Sequence, residues 1–255
     1  MTTHYRTKGF VLKKNDRFES DKIFTVFTSD FGKLEVRARA IRKITSKLRG
    51  GIDIFSLSEI EFIQGKSYKT LTDAIAIERF NNITQDQERL DIAWQIVEVL
   101  DNSIKGQEKD QDIWKLIIDI FEKLNNLEIK NWKLKILYCY FFWNFFAILG
   151  YRPEVSKCAV CREKLDPYGL YFSCKEGGII CRQCLKLDKM AKKINSDVVK
   201  LIRIILKKDW QILSKLKIEK PSQELLKEVS ENYHFYLSSI FSFNFAENSL
   251  AINKE

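Results

Sequence analysis

The 255-residue chain is 45% hydrophobic and 13% aromatic, a composition that supplies a buried core and excludes a disordered chain. Its net charge of +9 favours a polyanionic partner, nucleic acid before a membrane surface. The charge is uneven: residues 1–80 carry 16 basic against 10 acidic side chains and residues 151–194 carry 10 against 5, whereas residues 81–150 carry 8 against 11.

The opening stretch MTTHYRTKGF bears early charge and has no apolar core, so no secretory signal is expected and a cytoplasmic location follows. Residues 1–80 then read as strands. FTVFTSDFGKLEVRARAI is a hairpin pattern, with Ser29 to Gly32 as its turn. Extended runs are expected at Tyr5–Lys13, Ile52–Ile63 and Tyr68–Glu78, punctuated by Gly50-Gly51 and Gln64-Gly65. Five strands in 80 residues suit a small closed barrel, because a flat sheet of that size leaves long edges exposed.

Within this region Leu34, Val36, Ala38 and Ala40 alternate with Lys33, Glu35, Arg37 and Arg39, which separates an apolar from a charged face. From Arg37 to Arg49 the charged residues are Arg37, Arg39, Arg42, Lys43, Lys47 and Arg49, with no acid among them. With Lys33 on the same strand face, these seven are the expected phosphate contacts; the plainer reading is the solvated side of a half-buried strand. Phe10, Phe24, Phe27 and Tyr68 could stack on bases, although a strand aromatic more often belongs to the core.

From Thr84 the apolar period becomes helical. Thr84 to Gln87 with Asp86 and Glu88 resembles a capped helix start. One stripe runs from Leu90 to Ile104 and another from Ile113 to Leu124. The segment from Trp132 to Leu149 is apolar nearly all round and should be a central helix ending at Gly150. Its core, ILYCYFFWNFFAIL, has 14 positions and includes Asn144, which is short of the roughly 20 residues that a membrane span requires. Helical patterns resume at Ser196–Trp210 and from Ser222 to about Phe243, with Pro221 breaking the chain before the latter.

Five of the six cysteines fall between Cys158 and Cys184. Cys158 and Cys161 form one Cys-x-x-Cys knuckle, and Cys181 and Cys184 form the second, at a spacing that suits a tetrahedral S4 zinc site. Gly177-Gly178 offers a turn into the second knuckle. Cys174 is the alternative ligand, against which the paired spacing argues. Four thiolates leave no open coordination position, so one structural Zn2+ per chain is expected rather than a catalyst. Cys139, in the apolar helix, reads as a buried small hydrophobe. The sequence has no glycine-rich phosphate loop, no Gly-x-Ser-x-Gly and no His-Glu-x-x-His, and its two histidines, His4 and His234, suggest no catalytic pair. An enzyme is not expected.

The basic strand and the paired cysteines together resemble the bacterial recombination mediator RecO family. The likeness rests on GFVLKKNDRFESDKIFTVFTSDFGKLEVRARAIRK, on Ser46 to Gly50, on LGYRPEVSKCAVC and on EGGIICRQC. One departure is Arg162, where the family often has glycine after its first knuckle. The resemblance implies an α+β multi-domain protein. Residues 1–80 would be an oligonucleotide-binding (OB) barrel and residues 81–255 a helical domain, with a zinc module at 151–190. It further implies a non-enzymatic DNA repair and recombination mediator that binds single- and double-stranded DNA and anneals complementary strands. Its partners would be the C-terminal tail of the single-strand-binding protein, RecR and RecA, with no membrane, and it would join the nucleoid when acting. The open alternative is a zinc-containing RNA- or ribosome-associated binding factor.

Overall fold

The computed structural model describes residues 3–66, 68–126 and 128–252, with side chains followed to residue 240. The first two residues of the opening stretch lie outside them. The chain forms two compact units, residues 1–129 and 130–255.

In the first unit, β1 (His4–Arg17), β2 (Asp21–Thr28), β3 (Gly32–Ala38), β4 (Ser56–Gln64) and β5 (Lys69–Arg79) close a barrel in the order β1-β2-β3-β5-β4. The β3–β5 seam is parallel and short, with Val36 opposite Lys69 and Arg37 opposite Thr70. Every other pair is antiparallel. Period-two alternation places Val11, Phe24, Val26, Leu34, Val36, Ile60 and Phe62 in the barrel interior. β3 stops at Ala38. Ala40 adopts a left-handed backbone (φ 51°), so the alternation expected to continue through Ala40 is cut two residues earlier.

Part of the barrel's outer wall is also buried. Phe10, Leu12, Phe27 and Phe55 are at most 1% exposed; after the short α1 (Asn81–Gln85), Trp94 of α2 (Gln87–Ser103) and Trp114 and Phe121 of α3 (Gln111–Asn125) lie against the three rings. Phe10 lies 4.3 Å from Phe121 between ring centroids, and Phe55 meets Trp94 edge-on at 5.1 Å. Covering these rings removes them from water at roughly 1.5–3 kcal/mol each. Thus Phe10, Phe24 and Phe27 are core, and Tyr68 remains partly exposed. The cap of α2 is Asp86, whose carboxylate accepts from the Arg89 N–H at 3.1 Å. Thr84, the expected cap, instead sits in the short α1 and donates to the Asn81 carbonyl. Arg89 is itself buried and donates to the carbonyls of Leu124, Asn126 and Ile129, closing the C-terminal end of α3.

In the second unit, α4 (Trp132–Ile148) is apolar around its circumference and buried along most of its length. α5 (Ser196–Leu206) and α7 (Lys220–Ile252) pack against it, and the short α6 (Trp210–Lys215) follows α5. Pro221 lies inside the first turn of α7, where a missing N–H costs nothing, rather than ahead of the helix. The α4–α7 contact is specific: Trp143 stacks on Tyr233 and donates to Ser230 Oγ at 3.0 Å. Cys139 is buried beside the same serine; desolvation pushes its thiol up to about 12, against the Ser230 hydrogen bond, which lowers it. Between α4 and α5 lies a three-stranded sheet ordered β7-β6-β8, from β6 (Leu170–Ser173), β7 (Gly178–Cys181) and β8 (Lys192–Ile194). Among the described residues no helix is long and apolar enough to cross a membrane.

Candidate metal centre and nucleic-acid interface

The cysteine module is built from backbone pairing around β7. The Glu154 and Ile179 N–H groups bond the Gly177 and Glu154 carbonyls at 2.9 and 2.8 Å, and the Ala159 N–H bonds the Ile179 carbonyl at 2.7 Å. Gly177 turns the chain with φ 62°. Gly178 lies so close to Glu154 that a Cβ would fall 2.4 Å from its carbonyl oxygen. Only glycine fits there. This register brings the first knuckle, Cys158 and Cys161, over the second, Cys181 and Cys184.

The four Sγ atoms lie within 4.8 Å of one another, and those of Cys161 and Cys181 are 3.8 Å apart. A regular tetrahedron with arms of about 2.3 Å has an edge of about 3.8 Å, so the cluster has the dimensions of an S4 metal site. The four sulfurs could therefore hold a metal ion. Cys158 is fully buried and Cys161 is exposed, so the cluster sits at the rim of a small apolar nucleus with Ile180 and Cys184. Burial opposes ionisation of Cys158, but the N–H groups of Cys181, Cys161 and Val160 aimed at its sulfur draw it down to about 6. Cys184 moves the other way, to about 12, through desolvation and then the neighbouring thiols. Cys158 is thus favoured as a thiolate, and a bound cation would favour ionisation of Cys184. Cys174 stands outside the group, its thiol raised to about 11 by burial first and Asp188 second.

Arg162, the residue after the first knuckle, has φ 66°, a conformation that glycine adopts freely. Its N–H bonds the Cys158 carbonyl at 3.0 Å.

In the first unit the basic residues divide into two sets. Lys33 is drawn inward: its ammonium bonds the Asp101 carbonyl oxygen at 2.8 Å and its carboxylate at 3.0 Å. Lys13 reaches the same carboxylate at 2.6 Å. Burial works against the Asp101 charge, but the two lysines hold its pKa below the usual carboxylate range. Arg37 pairs with the buried Asp21 at 2.6 Å. The Ala40 N–H, the larger cause, and Arg37 keep Asp21 ionised below its ordinary range.

The other five project outward. Arg39, Arg42, Lys43, Lys47 and Arg49 are all exposed on the loop between β3 and β4, the last two in a single 3₁₀ turn, Lys47–Gly50. Beneath this loop a cavity of about 410 Å³ is lined by Lys14, Lys22, Arg42 and Arg49 with Asp16 and Asp53. A second, of about 560 Å³, shares Arg49 and adds Arg79. Lys14, Lys22 and Arg79 lie on three different strands, β1, β2 and β5, so no single run of the sequence joins them to the loop; only barrel closure gathers them.

A model of the recombination protein O N-terminal domain matches residues 1–80, and one of its C-terminal domain matches residues 84–238. The chain belongs to the recombination protein O family. The DNA repair protein RecO of Dehalococcoides mccartyi (strain BAV1) is 29% identical over 88% of the chain and 86% of its own length. That of Alkaliphilus metalliredigens is 29% identical over 89% and 91%, and that of Listeria monocytogenes serotype 4b is 27% identical over 92% and 90%. The barrel strand order, β1-β2-β3-β5-β4, is that of an OB fold, as expected of the family's N-terminal domain. Membership in this family places the protein in DNA repair and recombination.

Proposed function

We propose that this protein is a non-enzymatic recombination mediator that binds single- and double-stranded DNA and anneals complementary strands. With RecR it helps to load RecA onto strands coated by the single-strand-binding protein. The observation that carries the DNA-binding reading is the outward set of five exposed cations on the β3–β4 loop, which would meet phosphates. Lys33 and Arg37 form the base of that surface, held by Asp101 and Asp21. In this reading residues 1–80 are the DNA-binding barrel. Residues 81–255 form the helical domain that captures the acidic tail of the single-strand-binding protein and RecR, with the zinc module at 151–190. Cys158, Cys161, Cys181 and Cys184 hold one Zn2+, whose role is to fix the two knuckles. The protein works in the cytoplasm, on the nucleoid.

Annealing of complementary strands, naked or coated by the cognate single-strand-binding protein, tests this. The expected result is annealing of both without nucleotide hydrolysis. Deleting the binding protein's tail should stop only the coated reaction. A requirement for ATP, or equal loss of both reactions, would overturn the mediator reading. Preference for RNA at equal salt would favour an RNA-associated factor.

A further inference from the structure

Phe18 stands at the start of the three-residue turn between β1 and β2, next to the rung that pairs Arg17 with Asp21. It is 67% exposed. Its backbone is left-handed, φ 52°, a conformation that a bulky side chain adopts only at a cost in strain. Folding alone explains neither feature, since a polar or glycine residue would satisfy the same turn. The ring is also organised: the Arg37 guanidinium lies over it at 4.8 Å and that of Arg17 at 5.7 Å. Arg37 is fixed in turn by Asp21.

The surroundings state what the ring meets. One rung inward, Asp16 faces Lys22 and pairs with it at 3.3 Å, and Arg42 approaches the same carboxylate at 3.7 Å. Lys22 and Arg42 line the smaller cavity, where four cations face two carboxylates. A flat aromatic surface held up by arginine at the edge of a cationic cleft matches the two repeating parts of a single strand: bases that stack and phosphates that need neutralising. A duplex keeps its bases stacked on one another and offers the ring nothing.

We infer that Phe18 is a stacking platform for an unpaired base of single-stranded DNA whose phosphates run along the cleft formed by Lys22, Arg42 and Arg49. This rests on the DNA-binding reading above and deepens it, giving the barrel a means of distinguishing single strands from duplex.

The test uses the full chain as wild type, Phe18→Ala and Phe18→Trp, titrated at several salt concentrations with a short oligonucleotide containing 2-aminopurine and with a duplex. Because the ring is exposed, both variants should fold, which a melting curve verifies. Phe18→Ala is expected to weaken single-strand binding by about 5- to 150-fold. It should also remove the quenching of 2-aminopurine, with the salt slope and duplex affinity unchanged. Phe18→Trp should restore affinity and quenching. Phe18→Ala that binds and quenches like wild type would overturn the stacking role and leave the electrostatic reading standing. Equal weakening on single strands and duplex would overturn it as well, making Phe18 a support for Arg37. A wild type that binds neither DNA would instead bring down the DNA-binding reading and this inference with it.

Discussion

The cysteine module and the β3–β4 loop each gather one chemistry, but they point it in opposite directions. Four sulfurs converge within 4.8 Å, one fully buried. Five cations stand exposed on the β3–β4 loop, in a run from Arg39 to Arg49 with no acid in it, and Arg42 comes within 3.7 Å of Asp16 on β1. Like groups that converge need something between them and become part of the fold. Like groups that diverge repel one another and are compensated only by a partner from outside. Lys33 and Arg37 show the distinction within one strand: both are basic, yet each is held by a carboxylate, Asp101 and Asp21.

The largest expected effect breaks the converging cluster. Cys158→Ser removes the proposed ligand whose sulfur is most favoured as thiolate. Structural zinc supplies about 10–16 kcal/mol in isolated fingers, and within a larger unit the loss of one ligand should still cost at least about 3 kcal/mol. Metal analysis and thermal melting should fall together. Full metal content in the variant would exclude Cys158 as a ligand.

Breaking the diverging cluster should leave folding alone and weaken binding. Replacing Arg39, Arg42 and Lys43 by Ala should flatten the log–log salt slope for single-stranded DNA by about 2, roughly a hundredfold in affinity at 0.1 M salt. The melting temperature should barely change, since surface replacements away from buried partners stay within about 0.5 kcal/mol. A melting temperature that drops with the slope intact would return the loop to a purely structural role.

Arg37→Ala should behave in the reverse way. It leaves Asp21, 6% exposed, with no cation beside it and only the Ala40 N–H and the Ser20 hydroxyl as donors, at a cost of about 1–3 kcal/mol. The salt slope should stay within one contact of wild type. The same pair has a pH signature. The folded pKa of Asp21 lies below its unfolded value, so its contribution is complete above about pH 4–5 and is lost as pH falls through the folded pKa. Asp21→Asn should therefore flatten the acid side of the stability profile. An acid limb as steep as wild type would mean that other carboxylates set it.

This contrast also explains what could be read from the chain. The cysteine cluster was legible because its geometry is encoded locally, as two knuckles with set spacing. The barrel was legible because alternation reports a one-sided wall, and α4 because an all-apolar helix has to be central. The fate of Lys33 was not, because its partner, Asp101, lies 68 residues away on a helix whose docking leaves no local mark. The packing of α1–α3 with the barrel escaped for the same reason: the period changes at Thr84, whereas the compact unit ends at 129. Phe18 falls between the expected strands and carries no local signal; its position in the β1–β2 turn, its φ and its exposure set it apart from Phe10.

The smallest prediction concerns the joint between knuckle and chain. Arg162 holds a left-handed backbone at about 1–2 kcal/mol of strain, and in return makes an ion pair with Glu154 at 3.7 Å that is largely exposed. Such a pair contributes between 0 and about 1 kcal/mol. Arg162→Gly relieves the strain but loosens the unfolded chain by about 0.4–1 kcal/mol, so a net gain near 0.5 kcal/mol is expected, with metal content unchanged. Arg162→Ala separates the causes, because it loses the ion pair and keeps the strain. If alanine stabilised as much as glycine, charge would be responsible and not backbone. If glycine alone stabilised, the first knuckle would be shown to impose its left-handed turn on whatever residue follows Cys161, which is the behaviour expected of a module whose shape is set by its sulfurs.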